Sequence, residues 1–211
     1  MALNAKRIWI VGCGPGAVEY VTPAARRAAG QADVLVGSAR LLALFPECAA
    51  EKIAAPGETE RALALVADLL EKGRRVAVLV SGDPGLFSLG GHVVHRFGAA
   101  ACEVVPAVSS VHVAFARLGL AWADARILSA HGHMPAARPE ELAREEKIAI
   151  LAGTAEALAW CAAAAQALDA THAAYVCENL TLPDERIRRL EPSEIAACGA
   201  GPLAIVLLVR R

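Results

Sequence analysis

Short, wholly apolar runs punctuate this chain, and each stops abruptly at glycine, proline or serine. Ile8-Trp9-Ile10-Val11, Val34-Leu35-Val36 and Val76-Ala77-Val78-Leu79-Val80 carry no polar position at all. That pattern predicts parallel strands buried on both faces rather than strands with one wet side. Between them the period changes to that of helices. Thr22-Pro23 opens one, a capping side chain followed by proline at the first helical position, and it runs to about Ala29. Ser38 caps a short helix through Leu44, Thr59 caps a periodic helix from Arg61 to Glu71, and Gly73 stops it. Glu51 to Ala54 reads as a weak strand, Cys102 to Val105 as another, and a helix restarts from Leu86 and runs to Phe97.

Pro106-Ala107-Val108-Ser109-Ser110 forms a further strand-to-helix turn, with either serine as cap for a helix through Leu118. Gly119-Leu120-Ala121 reads as a hinge, and the alternation starts again beyond it. Strands are expected at Arg126–Ser129, Ile148–Leu151, Ala174–Cys177, Arg186–Leu190 (alternating, hence exposed) and Leu203–Val209. Helices are expected around Glu140–Arg144 and over Ala155–Leu168, the latter a core or dimer contact. Strands alternating with helices at this spacing predict two α/β domains, residues 1–119 and 120–211, with a cleft between them. The N-terminal sheet is expected to be mostly parallel and the C-terminal one mixed.

Composition narrows the class. The 211 residues are 56% hydrophobic, enough for a sizeable core. A net charge of −1 gives no electrostatic footprint for nucleic acid or an anionic membrane. Six cysteines stand singly with no C-x-x-C pair, which points to a reduced, cytoplasmic chain without disulfides or structural zinc. Lys6-Arg7 before Ile8–Val11 imitates a secretory leader, but the apolar run is too short and ends at Gly12 and Pro15. No stretch reaches the roughly 18 apolar residues of a membrane span.

The chemistry concentrates where strands end. Ser81-Gly82-Asp83-Pro84-Gly85 follows the central strand, and its glycines let backbone approach a ligand closely. Ligands of open α/β sheets bind at carboxyl strand ends. Gly12-x-Gly14-x-x-Ala17, with Asp33 about 20 residues on, fits a loose dinucleotide fingerprint. Pro15 and Gly16 start the required helix poorly, however, and Asp33 precedes its strand instead of following it. Ser38 and Arg40 occupy the following position. His131-x-His133 lacks a third metal ligand, so no metal is expected.

Taken together, Gly12-Cys13-Gly14-Pro15-Gly16, Ser81-Gly82-Asp83-Pro84 and Pro106-x-x-Ser109-Ser110 resemble the tetrapyrrole methylase family. Leu128-Ser129-Ala130-His131-Gly132-His133 and the stretch from Glu178 to Ile187 are similar to its precorrin-6Y C5,15-methyltransferase branch, specifically the stand-alone carbon-5 methylating subunit. Ala107 departs from the glycine relatives usually carry there. The resemblance implies S-adenosylmethionine as cofactor and methylation of carbon 5 of precorrin-7 or its cobalt form in cobalamin biosynthesis. Carried over by position, it implies cofactor contacts at Pro15, Ser81, Gly82, Asp83, Leu86, Ser109 and Ser110, with weaker transfers at Ala152, Leu180 and Leu203.

A proton must leave at some stage of that methylation, and His131 or Glu178, both just beyond predicted strands, are the candidates to take it. The substrate would be a polycarboxylate, for which Arg40, Arg96, Arg117, Arg138 and Arg186 are candidate partners. A homodimer is expected. Because the chain ends at Arg211, two residues past the last strand, it is expected to add one methyl group without releasing carbon dioxide. A separate decarboxylating C15-methyltransferase would complete the reaction pair. Alternatives are a tetrapyrrole methylase of other carbon specificity, a nicotinamide-dependent oxidoreductase and a non-catalytic tetrapyrrole-binding module.

Overall fold

A computed structural model describes residues 8–211, so the Lys6-Arg7 pair weighed as part of a leader lies outside the described residues. The chain divides into two compact units, 1–109 and 110–211.

In the first unit five strands form one parallel sheet. They are β1 (Ile8–Gly12), β2 (Val34–Gly37), β3 (Glu51–Ala54), β4 (Val76–Val80) and β5 (Cys102–Val105), in the order β3-β2-β4-β1-β5. Every residue of β1, β2 and β4 is buried, as the unbroken apolar runs predict. Successive side chains serve opposite faces. Trp9, Val11, Leu35, Ala77 and Leu79 pack with α1 (Pro23–Gln31) and α2 (Ala39–Leu42). Ile8, Ile10, Val34, Val36, Val76, Val78 and Val80 pack with α3 (Thr59–Glu71) and α4 (Leu89–Phe97). The left-moving connections thus lie on one face and the right-moving ones on the other, as right-handed crossovers require.

Caps explain most helix starts. The Thr22 hydroxyl accepts from Ala25 N–H at 3.0 Å, and Ser38 accepts from Leu41 N–H at 3.4 Å. Two starts differ from expectation. The cap position of α3 is Glu58, which makes no side-chain cap bond, and Thr59 already lies in the helix. The helix expected from Leu86 begins only at Leu89, because Phe87 is left-handed (φ 45°) and cannot belong to it. Ser88 caps instead, accepting from Gly90 N–H and donating to the Pro84 carbonyl at 2.6 Å.

The second unit opens with α5 (Ser110–Arg117), which contacts β10 and groups with the strands C-terminal to Gly119. Its sheet is mixed, in the order β6 (Arg126–Ser129), β7 (Lys147–Leu151), β10 (Ile205–Arg210), β8 (His172–Glu178), β9 (Arg186–Leu190). Only β6 and β7 are parallel neighbours; the other pairings are antiparallel. Ile148, Ile150, Ala174, Val176, Val206 and Leu208 form one core with α7 (Ala155–Leu168). α6 (Pro139–Leu142) and α8 (Pro192–Ile195) are single turns. The last strand starts at Ile205 instead of Leu203: Pro202 has no N–H for the ladder, and Ala204 N–H turns back to the Gly201 carbonyl.

Candidate functional site

Four loops meet at the carboxyl edge of the first sheet, and glycine is what lets them meet. A Cβ on Gly12 would stand 2.7 Å from Ala107 Cβ, 2.8 Å from Pro84 Cδ and 3.0 Å from the Gly82 carbonyl oxygen. Two other strand-end segments, those after β4 and β5, therefore close on one bare Cα. Gly82, left-handed at φ 65°, exchanges backbone hydrogen bonds with Gly14, donating at 2.8 Å and accepting at 3.4 Å. Pro15 and Gly82 are buried, Leu86 is half-buried, Ser81 is exposed and Ser109 is closed to solvent, with Ser110 half-buried beside it.

Asp83 ties the loops together. One carboxylate oxygen accepts from Gly85 N–H at 2.8 Å, the other from Ala107 N–H at 2.9 Å, 24 residues away. Ala107 thus holds the turn through its own backbone N–H. The dinucleotide reading fails at Asp33. This residue sits at the start of β2, the opposite end of the strand from the loops, and grips Arg75 through contacts of 2.6–3.2 Å. The Arg75 guanidinium and backbone N–H hold its carboxyl down at about 2. A surface cavity of about 240 Å³ is lined by α1 and the segment before β3, by residues such as Arg26, Phe45 and Cys48, and by none of the strand-end loops.

The second unit has its own cluster of expected residues along one sheet edge. Ser129, Leu151, Cys177 and Ile205 lie in register across β6, β7, β8 and β10. His131, Ala152, Glu178, Leu180 and Leu203 consequently all fall at that same edge. The exposed His131 ring lies over Gly153, where any Cβ would overlap it. Ala152 and Leu180 are buried and Leu203 is half-buried. Asn179 and Thr181, flanking Leu180, are both left-handed (φ 49° and 72°).

Glu178 is 4% exposed and fully engaged. Arg186 grips it with two bonds, Nε to Oε2 at 2.9 Å and Nη2 to Oε1 at 3.0 Å, and Arg188 Nη2 adds a third at 2.8 Å. Burial pushes its carboxyl upward, but the two guanidinium groups outweigh this and hold it below the ordinary glutamate range. Glu185 is held down in the same sense, first by the Arg117 guanidinium, at 2.6 Å.

The five candidate arginines separate on this basis. Arg117, Arg138 and Arg186 each hold a carboxylate of this chain, and Arg96 is exposed in the last turn of α4. Arg40, in the short helix α2 that follows β2, donates to the Ser81 hydroxyl at 3.0 Å. Burial pushes the Cys13, Cys161 and Cys177 thiols up to about 12, away from the nucleophilic thiolate form. Among the described residues no His, Cys, Asp and Glu cluster could hold a metal ion, and no helix is long and apolar enough to cross a membrane.

A parallel α/β sheet whose glycine-rich loops converge at its carboxyl edge defines a protein that holds a small organic ligand against backbone. The family model for tetrapyrrole (corrin/porphyrin) methylases matches residues 7–196, and the chain belongs to that family. It is 32% identical over 189 residues to a cobalt-precorrin-7 C(5)-methyltransferase of Salmonella typhimurium, covering 89% of this chain and 92% of that one. The precorrin-6Y methylase (cbiE) structure from Archaeoglobus fulgidus superposes with a TM-score of 0.75 at 26% identity, covering 98% of this chain and 99% of the other. A uroporphyrin-III C-methyltransferase from Thermus thermophilus, complexed with S-adenosyl homocysteine, gives a TM-score of 0.79 at 27% identity, covering 96% and 97%.

Proposed function

We propose that this protein transfers a methyl group from S-adenosylmethionine to carbon 5 of a late corrin precursor, cobalt-precorrin-7 or its metal-free counterpart, in cobalamin biosynthesis. The observation that carries this reading is near full-length similarity to a cobalt-precorrin-7 C(5)-methyltransferase on a chain with the loop cluster described above. A second similar protein was solved with S-adenosyl homocysteine bound, which supports the cofactor.

The residues fit such a ligand. Gly12 and Gly14 let neighbouring segments of the chain close on the strand ends, and Asp83 holds two loops at fixed separation. The sulfonium of the cofactor carries the electrophilic methyl group. Pro15, Ser81, Gly82, Asp83, Leu86, Ser109 and Ser110 would position it; Ala152, Leu180 and Leu203 are the weaker candidates carried over by position. In such a displacement the protein chiefly orients the reactants and excludes water, which accounts for about 7–11 kcal/mol of barrier at best. His131 is the better proton acceptor of the two named in sequence, because its ring is exposed, whereas both Glu178 oxygens already accept from arginine. The reading includes a cytoplasmic homodimer working in sequence with a separate decarboxylating C15-methyltransferase, so that this chain adds one methyl group and releases no carbon dioxide.

The test is mass spectrometry of the product formed from cobalt-precorrin-7 with a labelled methyl donor. One added methyl with no lost carbon dioxide is the expected result. Two additions, carbon dioxide release, or stabilisation by NADP without any by S-adenosylhomocysteine would overturn the reading.

A further inference from the structure

The first sheet has a place where connections part. From β2 the chain moves outward to β3 through α2 on one face; from the adjacent β4 it moves the other way to β5 through α4 on the opposite face. Neighbouring strands whose connections diverge open a crevice at their carboxyl ends, where ligands of open α/β sheets bind. Here that crevice lies between Ser38–Arg40 and Ser81–Gly82. Its two rims are joined by one side-chain hydrogen bond, Arg40 Nη2 to Ser81 Oγ at 3.0 Å.

Arg40 is unusual for what it lacks. It is half-buried, its Nη1 is closed to solvent without any hydrogen-bond partner, and no carboxylate of the described residues pairs with it. Burial pulls its pKa down, and the buried Cys13 thiol nearby, itself pushed up to about 12, offers it no counter-charge near neutral pH. A guanidinium carries five donors in a rigid fork suited to a carboxylate, and here the named internal acceptor is a single neutral hydroxyl. A desolvated cation without a counter-charge is destabilising, so its retention at a ligand crevice calls for an anion from outside the chain.

We infer that Arg40 is the carboxylate anchor of the strand-end site, engaging a ligand carboxylate across the β2–β4 crevice and fixing it with Ser81. The inference rests on the methyltransferase reading, under which a carboxylate has two sources: the amino-acid tail of the cofactor, or an acid side chain of the corrin substrate. The chemistry is shared, and the arms of the experiment separate the sources.

Calorimetric titration of the wild-type chain and of Arg40→Gln and Arg40→Lys uses S-adenosylhomocysteine and its decarboxylated analogue as probes, alongside KM for cobalt-precorrin-7. If Arg40 holds the cofactor tail, Arg40→Gln weakens S-adenosylhomocysteine about tenfold to a hundredfold and leaves the decarboxylated analogue unchanged. If it holds the substrate, both probes bind as in the wild type and KM rises by a similar factor. Arg40→Lys keeps the charge without the fork and falls between wild type and Arg40→Gln in whichever arm responds. Melting curves matching wild type establish that the variants are folded, and the decarboxylated probe serves as an internal control for an intact pocket. Unchanged affinities together with unchanged KM, or equal weakening of both probes, overturn the inference while the methyltransferase reading stands. A wild-type chain that neither binds S-adenosylhomocysteine nor methylates overturns both.

Discussion

Arg40 in the first unit and Glu178 in the second are both charged groups withdrawn from water, and the chain treats them oppositely. Glu178 receives three charge-assisted hydrogen bonds from two arginines of the neighbouring edge strand β9. Arg40 receives no counter-charge from the described residues and donates to one hydroxyl. A buried charge that the fold itself neutralises reports on architecture, because removing either partner strands the other. A charge that the fold leaves unanswered reports on a ligand. By this measure the carboxyl edge of the first sheet is built to receive an anion, and the β8–β9 corner is built to hold its own shape.

The sharpest way to break the comparison is at Gly82. Gly82→Val places a β-branched residue at φ 65° and strains the backbone whose exchange with Gly14 closes the loop. S-adenosylhomocysteine affinity should fall at least about a hundredfold, close to 3 kcal/mol, while the far-ultraviolet circular dichroism remains that of the folded chain. Retained affinity would show that the loop is a bare connection.

Glu178→Gln attacks the other side. It leaves Arg188, whose Nε is already a buried donor without a partner, facing a neutral amide. Arg186 is about half exposed, so water recovers part of the loss, and unfolding in urea should show about 2 kcal/mol of destabilisation. S-adenosylhomocysteine affinity should not move. Loss of turnover at unchanged stability would instead place Glu178 in the chemistry. Acid sharpens this further. The folded carboxyl lies below its unfolded value of about 4.3, so its contribution is complete above roughly pH 5 and disappears as pH falls through the folded value. The stability gap between wild type and Glu178→Gln should therefore narrow steadily as pH falls below about 5. A gap independent of pH would mean that the loss is one of packing.

Much of the first unit was legible because its signals are local. Strands buried on both faces leave no polar residue in Val76–Val80, and a glycine that must turn or admit backbone leaves its mark at Gly12, Gly14 and Gly82. Signals that depend on distant partners were not legible. Nothing near Asp83 announces that its second oxygen accepts from Ala107, and nothing near Arg40 announces Ser81, 41 residues on. The helix expected from Leu86 failed because the local pattern there suits a helix, while the left-handed Phe87 holds the chain out of it until Ser88 caps the next turn. In the second unit Arg186–Leu190 is an edge strand, exposed at Arg186 and Arg189 but half-buried at its other positions, and which of its arginines serve Glu178 follows only from the β8–β9 register.

Asp83→Asn should be milder than the glycine change. The amide keeps one acceptor oxygen and loses the other, so one of two loop-fixing bonds survives, and the expected loss is about 1 kcal/mol of S-adenosylhomocysteine binding, roughly fivefold. Complete loss, equal to that of Gly82→Val, would show that the carboxylate itself recognises the ligand.

The smallest effect separates strain from stability in the same loop. Phe87 is 60% exposed and left-handed, so a bulky residue holds a disfavoured backbone conformation with little packing to compel it. Its neighbours are fixed: Leu86 N–H turns back to the Asp83 carbonyl, and Ser88 bonds to Pro84 and Gly90. Phe87→Gly relieves the backbone but frees the unfolded chain, and these effects oppose one another. Net stability should rise by no more than about 1 kcal/mol. Phe87→Ala keeps the left-handed cost and removes only the ring. If the ring serves the ligand, both variants should weaken S-adenosylhomocysteine binding to a similar degree while only the glycine variant gains stability. If both bind as tightly as wild type, the strain at this position belongs to the turn alone, and the contrast between the open first unit and the self-satisfied second rests on the glycines and Arg40.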